Sequence, residues 1–127
     1  MDLFGLKGQV AVVTGASSGL GADAARAYAA YGANVALLAR RKERLDALAE
    51  ELRKTGVEAL PIACDVSKEE EIKRAVDEVI ARFGKIDILL NNAGIAVPGG
   101  VETLSPADWD RSMDVNVKSG FLMCKYV

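Results

Sequence analysis

"TGASSGLG", residues 14–21, places three glycines and two serines between an apolar run, "QVAVVT" (9–14), and an alanine-rich stretch, "LGADAARAYAAYG" (20–32). Three chemistries compete for that much glycine at a strand-to-helix junction. Gly15-Ala16-Ser17-Ser18-Gly19 matches the G-x-S-x-G elbow that presents a serine nucleophile. Such a nucleophile needs a histidine base, and the sequence contains no histidine. A phosphate loop closing in Gly-Lys-Ser/Thr also fails, because Gly19-Leu20-Gly21 offers no lysine. What remains is a turn whose backbone approaches a dinucleotide's pyrophosphate at the positive end of a helix. The spacing is G-x-x-x-G-x-G rather than the usual G-x-G-x-x-G. A tight turn without a ligand is the alternative, but three glycines with Ser17 and Ser18 exceed what a turn requires.

The sequence on either side places this turn in a fold. Gln9–Thr14 is β-branched and does not alternate, as expected of a strand buried on both faces. Leu20, Ala24, Ala27, Tyr28 and Tyr31 recur at helical spacing, with Gly32 as the stop. "NVALLA" (34–39) predicts a second strand. Leu45, Leu48, Ala49 and Leu52 predict an amphipathic helix within 41–54, and "VEALPIAC" (57–64) a third strand whose Pro61 suits a sheet edge. Ser67 and Glu70 form a capping-box pattern before a helix with apolar positions Ile72, Val76, Val79, Ile80 and Phe83, ended by Gly84. "IDILL" (86–90) is the fourth strand and 91–100 a loop. Ser105, Pro106 and Asp108 are start signals for a last helical region. Strands alternating with helices mean right-handed crossovers and a parallel sheet covered on both faces. The expectation is a single α/β domain over residues 1–127, a three-layer, doubly wound Rossmann-type sheet of strand order 3-2-1-4 that stops after the helix following strand four.

Composition narrows the function. The 127 residues are 50% apolar with a net charge of −2, which suits a globular domain and argues against a nucleic-acid partner. The apolar runs fall far short of the roughly 20 residues of a membrane span, and residues 1–8 carry no readable signal peptide. Without histidine no metal site is expected. Cys64 and Cys124 lack C-x-x-C spacing and read as reduced, buried thiols of a cytoplasmic protein.

Thr14-Gly15-x-x-x-Gly19-x-Gly21, Asp65-Val66, Asn91-Asn92-Ala93-Gly94 and Asn116 within "DVNV" resemble, in order and spacing, the short-chain dehydrogenase/reductase family over essentially the whole chain. The resemblance implies a nicotinamide-dependent oxidoreductase that interconverts a carbonyl and an alcohol on a small molecule. It implies that Gly15, Ser17, Ser18, Gly19, Leu20 and Gly21 form the turn around the diphosphate and nearby ribose, and that Asp65 and Val66 contact the adenine. It places Asn91, Ala93 and Gly94 along the cofactor, and makes Asn116 the asparagine that holds a proton-relay water. From the residues alone, Asp65 at a strand's end also reads as an extra helix cap, and Asn91 and Asn92 as loop-formers.

The cofactor's identity turns on the end of strand two. NAD-binding versions of this fold carry an acidic residue there for the ribose hydroxyls. Ala39 holds that place, followed by Arg40 and Arg41, which suit the 2′-phosphate of NADP, with NAD as second candidate. A solvated, charged helix start is the alternative for "RRKERL". The family's remaining catalytic groups, a serine and a Tyr-x-x-x-Lys pair, are not found: neither Tyr28 nor Tyr31 has a lysine four residues on, and Tyr126 is followed by one residue. The sequence therefore reads as the N-terminal, cofactor-binding half of such an enzyme, inactive alone. Its fourth strand, without the expected fifth beside it, predicts that the isolated fragment self-associates or exists only as part of a longer protein, and a homo-oligomer is expected. A non-catalytic nucleotide-binding or interaction module is the other reading.

Overall fold

The computed structural model describes residues 3–127, so the first two residues of the 1–8 stretch lie outside the described residues. Four strands, β1 (Val10–Thr14), β2 (Asn34–Ala39), β3 (Ala59–Ala63) and β4 (Ile88–Leu90), form one parallel sheet in the order β3-β2-β1-β4. Helices α1 (Gly19–Ala30), α2 (Lys42–Arg53) and α3 (Glu69–Phe83) make the crossovers. The doubly wound architecture and its strand order are as expected. Strands three and four are shorter than the apolar runs that announce them, 59–63 and 88–90 against 57–64 and 86–90.

Each strand's alternation serves two cores. Val10, Val12, Ala36, Leu38 and Ile62 face α3 and the C-terminal helix, packing on Ile72, Val76, Val79 and Met123. Val13, Val35 and Leu37 face the other way, onto Ala25 and Ala29 of α1 and Leu45, Leu48 and Leu52 of α2. Pro61 lies opposite Leu37 in β3, at the sheet edge, where its missing N–H removes no ladder bond on the open side. At the other edge β4 pairs with β1 alone, and Asp87 anchors its start by accepting the Val10 N–H at 2.8 Å.

Three local expectations are corrected. Helix α1 buries Gly21, Ala22, Ala25 and Ala29, whereas Leu20 is 80% and Tyr31 56% exposed. The fully buried positions of the helix hold only glycine and alanine, with Tyr28 packed half-buried beside them, while Leu20 and Tyr31 turn outward. The Ser67/Glu70 capping box does not form: Lys68 is the N-cap of α3 without a side-chain bond, because Ser67 is engaged by Asp65. Ile80, at a predicted apolar position of α3, is 44% exposed. The last helical region starts as expected, with Ser105 accepting the Asp108 N–H at 3.1 Å and Pro106 opening α4 (Pro106–Met113). It is not one helix, however. A π-helical turn, Asp114–Lys118, separates α4 from α5 (Ser119–Tyr126).

Candidate functional site

Because all four strands run parallel, their C-terminal ends and the turns that follow share one edge of the sheet, where such folds hold ligands. A cleft of about 910 Å³ opens there. It is lined by Gly15, Ser17 and Ser18 after β1, Arg40, Arg41 and Arg44 after β2, Cys64 to Ser67 after β3, Asn92 to Ile95 after β4, and Arg111 and Val115 from the last helical region. Nine of the expected site residues therefore converge on it: Gly15, Ser17, Ser18, Arg40, Arg41, Asp65, Val66, Ala93 and Gly94. Gly19, Leu20, Gly21, Asn91 and Asn116 are not on its wall.

The three glycines of the turn have different reasons to be glycine. Gly15 has φ +63°, and a Cβ there would lie 2.9 Å from the Ala93 Cα. A Cβ on Gly21 would lie 2.3 Å from the Gly15 carbonyl oxygen and 2.5 Å from Asn92 Nδ2, so Gly21 is required by the protein's own packing. Gly19 has φ +58° and open space beside it. The N–H groups of Gly19, Leu20 and Gly21 have no partner among the described residues, Ser18 makes no side-chain cap, and no acidic residue occupies the first turn of α1. An uncapped helix start of that kind favours an anion.

Below the turn, the buried Thr14 hydroxyl joins β1 to the segment after β4. It accepts the Asn92 and Ala93 N–H groups at 3.0 Å each and donates to the Leu90 carbonyl at 3.4 Å. Asn92 Nδ2 donates to the Gly15 carbonyl at 3.2 Å. Asn92 thereby braces the glycine turn against the segment after β4. Asn91, on the other side of the extended chain, points away and donates to Cys124 Sγ at 3.7 Å. Two adjacent asparagines carry no sequence signal that separates these roles.

After β3, Asp65 Oδ1 accepts both the N–H (3.0 Å) and the hydroxyl (2.7 Å) of Ser67. Burial pushes its carboxyl up, but the two Ser67 bonds, with Lys68 and Arg40 nearby, outweigh that and hold it below the ordinary carboxylate value. Among the described residues neither Asp65 Oδ2 nor the N–H of the buried Val66 has a hydrogen-bond partner. A free acceptor beside a free donor complements the amine and ring nitrogen on the Watson–Crick edge of adenine.

The arginines divide sharply. Arg26, Arg53, Arg74 and Arg82 pair with carboxylates. The guanidinium groups of Arg40, Arg41, Arg44 and Arg111 have no salt bridge or hydrogen bond among the described residues, and all four residues line the cleft. Arg44 follows Arg41 at helical i, i+3 spacing, a signal that extends the Arg40-Arg41 pair. Arg111 carries no comparable sequence mark; the last helical region brings it in, one turn before Val115.

Asn116 sits in the π turn and is engaged by the loop after β4. Its Oδ1 accepts the Ile95 N–H at 2.7 Å, and its Nδ2 donates to the Ile95 carbonyl at 2.9 Å and to Ser112 Oγ at 3.2 Å. The carboxamide pairs with both backbone groups of one residue, Ile95, as a neighbouring strand would. Of the two thiols, Cys64 is buried and burial pushes it up to about 12, whereas Cys124 is exposed, against expectation. A maleimide at neutral pH is therefore expected to label one thiol per folded chain, Cys124, and two after denaturation; rapid labelling of Cys64 in the folded protein would contradict the placement.

The sequence profile of the short chain dehydrogenase family matches residues 9–127. D-threitol dehydrogenase of Mycolicibacterium smegmatis is 44% identical over 124 residues, which span 98% of this chain and 48% of that protein. A metagenomic short-chain oxidoreductase solved in complex with NADP superposes with a TM-score of 0.91 at 44% identity, over 95% of this chain and 55% of its own. L-Sorbose reductase of Gluconobacter frateurii, solved with NADPH and L-sorbose, superposes at 0.95 with 35% identity, over 100% of this chain and 48% of its own. The chain spans about half the length of the relatives it matches. With the parallel sheet, the glycine turn and the profile in agreement, the chain belongs to the short-chain dehydrogenase/reductase family.

Proposed function

We propose that the cleft binds NADP(H) and that the protein uses it for hydride transfer between the nicotinamide and a small carbonyl or alcohol substrate. The observation that carries this reading is the convergence of Arg40, Arg41, Arg44 and Arg111, the arginines without a salt bridge, on a cleft that also holds an uncapped helix start. Gly19, with the free amides of the first turn of α1, takes the diphosphate. Arg40, Arg41 and Arg44 take the 2′-phosphate, where an acidic residue would repel it. Asp65 and Val66 read the adenine edge, Ala93 and Gly94 lie along the ribose side, and the cofactor supplies the hydride. The solved relatives with bound NADP and NADPH support that choice over NAD.

In this reading Asn116 orders the reaction side indirectly, by holding the backbone of Ile95 in place. Proton transfer to the substrate oxygen needs an acid, and residues 1–127 hold neither the family's serine nor its Tyr-x-x-x-Lys, so these residues alone do not turn over. Trp109, Met113, Val117 and Phe121, each exposed and four residues apart, form an apolar stripe that supports a homo-oligomer. The unpaired thiols support a cytoplasmic setting, and no described helix is long and apolar enough to cross a membrane.

Fluorescence titration with NADPH and NADH tests the cofactor assignment. Tighter NADPH binding by more than about a hundredfold is expected from several charge-assisted contacts to the 2′-phosphate. Equal curves would refute the preference for NADP, and no binding of either would refute the cofactor site.

A further inference from the structure

Helix α3 opens with three consecutive acidic residues, Glu69, Glu70 and Glu71, which complement the positive end of a helix. One of them does something else. Glu71 turns back past the N-cap, and its Oε1 accepts the backbone N–H of Asp65 at 3.1 Å, six residues upstream. Its side chain is only 28% exposed, with Lys68 Nζ and an Arg74 guanidinium nitrogen each 3.8 Å from its oxygens. Asp65 is consequently held from both ends, its backbone by Glu71 and its carboxylate by Ser67.

From this geometry we infer that Glu71 is a positioning residue for adenine recognition, acting through Asp65 rather than touching the cofactor. Fixing the Asp65 N–H fixes the rotation of the chain where β3 ends. That rotation sets the directions of the free Asp65 Oδ2 and of the next amide, Val66 N–H. The two groups read neighbouring positions on one base edge, so a small swing of the backbone misaligns both. A salt-bridged carboxylate is suited to the task because Lys68 and Arg74 limit its own motion. A capping box would have used an acidic residue at this position to satisfy the N-cap amide; here the same reach is spent on the residue that recognises the base.

The inference rests on the cofactor reading above, and its test separates the two. NADPH and its hypoxanthine analogue, which has an oxygen in place of the adenine amine, are titrated against the intact gene product, Glu71→Ala and Glu71→Gln. The unaltered protein is expected to prefer NADPH. In Glu71→Ala the ratio of the two affinities falls by roughly threefold to tenfold, the worth of a weakened hydrogen bond. Glu71→Gln keeps the acceptor oxygen and stays within about twofold of the unaltered ratio. A purely structural loss would weaken both nucleotides equally and leave the ratio unchanged, which overturns the inference but leaves the cofactor site standing. An Ala-like ratio in Glu71→Gln also overturns it. Failure of the unaltered protein to bind either nucleotide overturns the cofactor reading and the inference with it.

Discussion

Gly21→Ala is expected to lose about 3 kcal/mol or more of stability, the upper end of what a methyl forced into packed structure costs. The added Cβ meets the Gly15 backbone carbonyl at 2.3 Å, a clash no side-chain rotation relieves, and the Asn92 side-chain amide at 2.5 Å. Relief requires the first turn of α1 to lift off β1, which also breaks the Asn92–Gly15 bond. Against a typical total of about 5–15 kcal/mol, that loss is a large fraction. Gly19→Ala is the control. It has room for its Cβ and suffers only the strain of φ +58°, about 1–2 kcal/mol, so it stays folded. Its methyl instead enters the space assigned to the diphosphate, and cofactor affinity falls. Urea denaturation of both variants beside NADPH titration makes the comparison. Equal stability of the two would show that Gly21 is not a packing glycine.

The second large effect is on cofactor choice. In the proposed reading, changing Arg40 and Arg41 together to alanine removes two charge-assisted contacts to a 2′-phosphate, each worth about 1.5–3 kcal/mol, and should weaken NADPH by roughly a hundredfold or more. NADH, which lacks that phosphate, should be nearly unaffected. The fold should also be indifferent, since both side chains are exposed and neither has an ion pair to lose. Arg44 remains as a third guanidinium, so residual NADPH preference is expected until it too is changed. Parallel loss of NADH and NADPH affinity in the double variant would contradict a 2′-phosphate site.

How much of this was legible in the sequence follows from which interactions are local. The strands, their order and the convergence of Ser17, Arg40 and Asp65 follow from β-branched runs, glycine stops and the geometry of parallel crossovers, all of which repeat along the chain. The face of α1 was not legible. Helical periodicity counts apolar residues, and here closeness of approach, set by Gly15 and Gly21, selects the small side over the greasy one. Ser67 and Glu70 matched a local cap, yet Ser67 had a better partner in Asp65, whose orientation depends on Glu71 and the end of β3. The π turn at Asn116 is a bargain struck with Ile95, 21 residues away, and no local propensity records it. Arg111 is found only by its position in the cleft and by its lack of a carboxylate.

The Thr14 junction also has a history in time. The hydroxyl's partners, Asn92 and Ala93, lie 78 and 79 residues further along the chain. At a synthesis rate of about 5–20 residues per second, several seconds separate the appearance of the glycine turn from that of the segment that seats it. During that interval β1 can pair with β2, its neighbour after one crossover, but its other edge stays bare. The nascent chain therefore passes through a stage in which Val10–Thr14 is half-sheltered and the cleft has no floor. That edge closes only when Asn92 and Ala93 arrive, and the wall of the cleft is complete later still, with Arg111 and Val115.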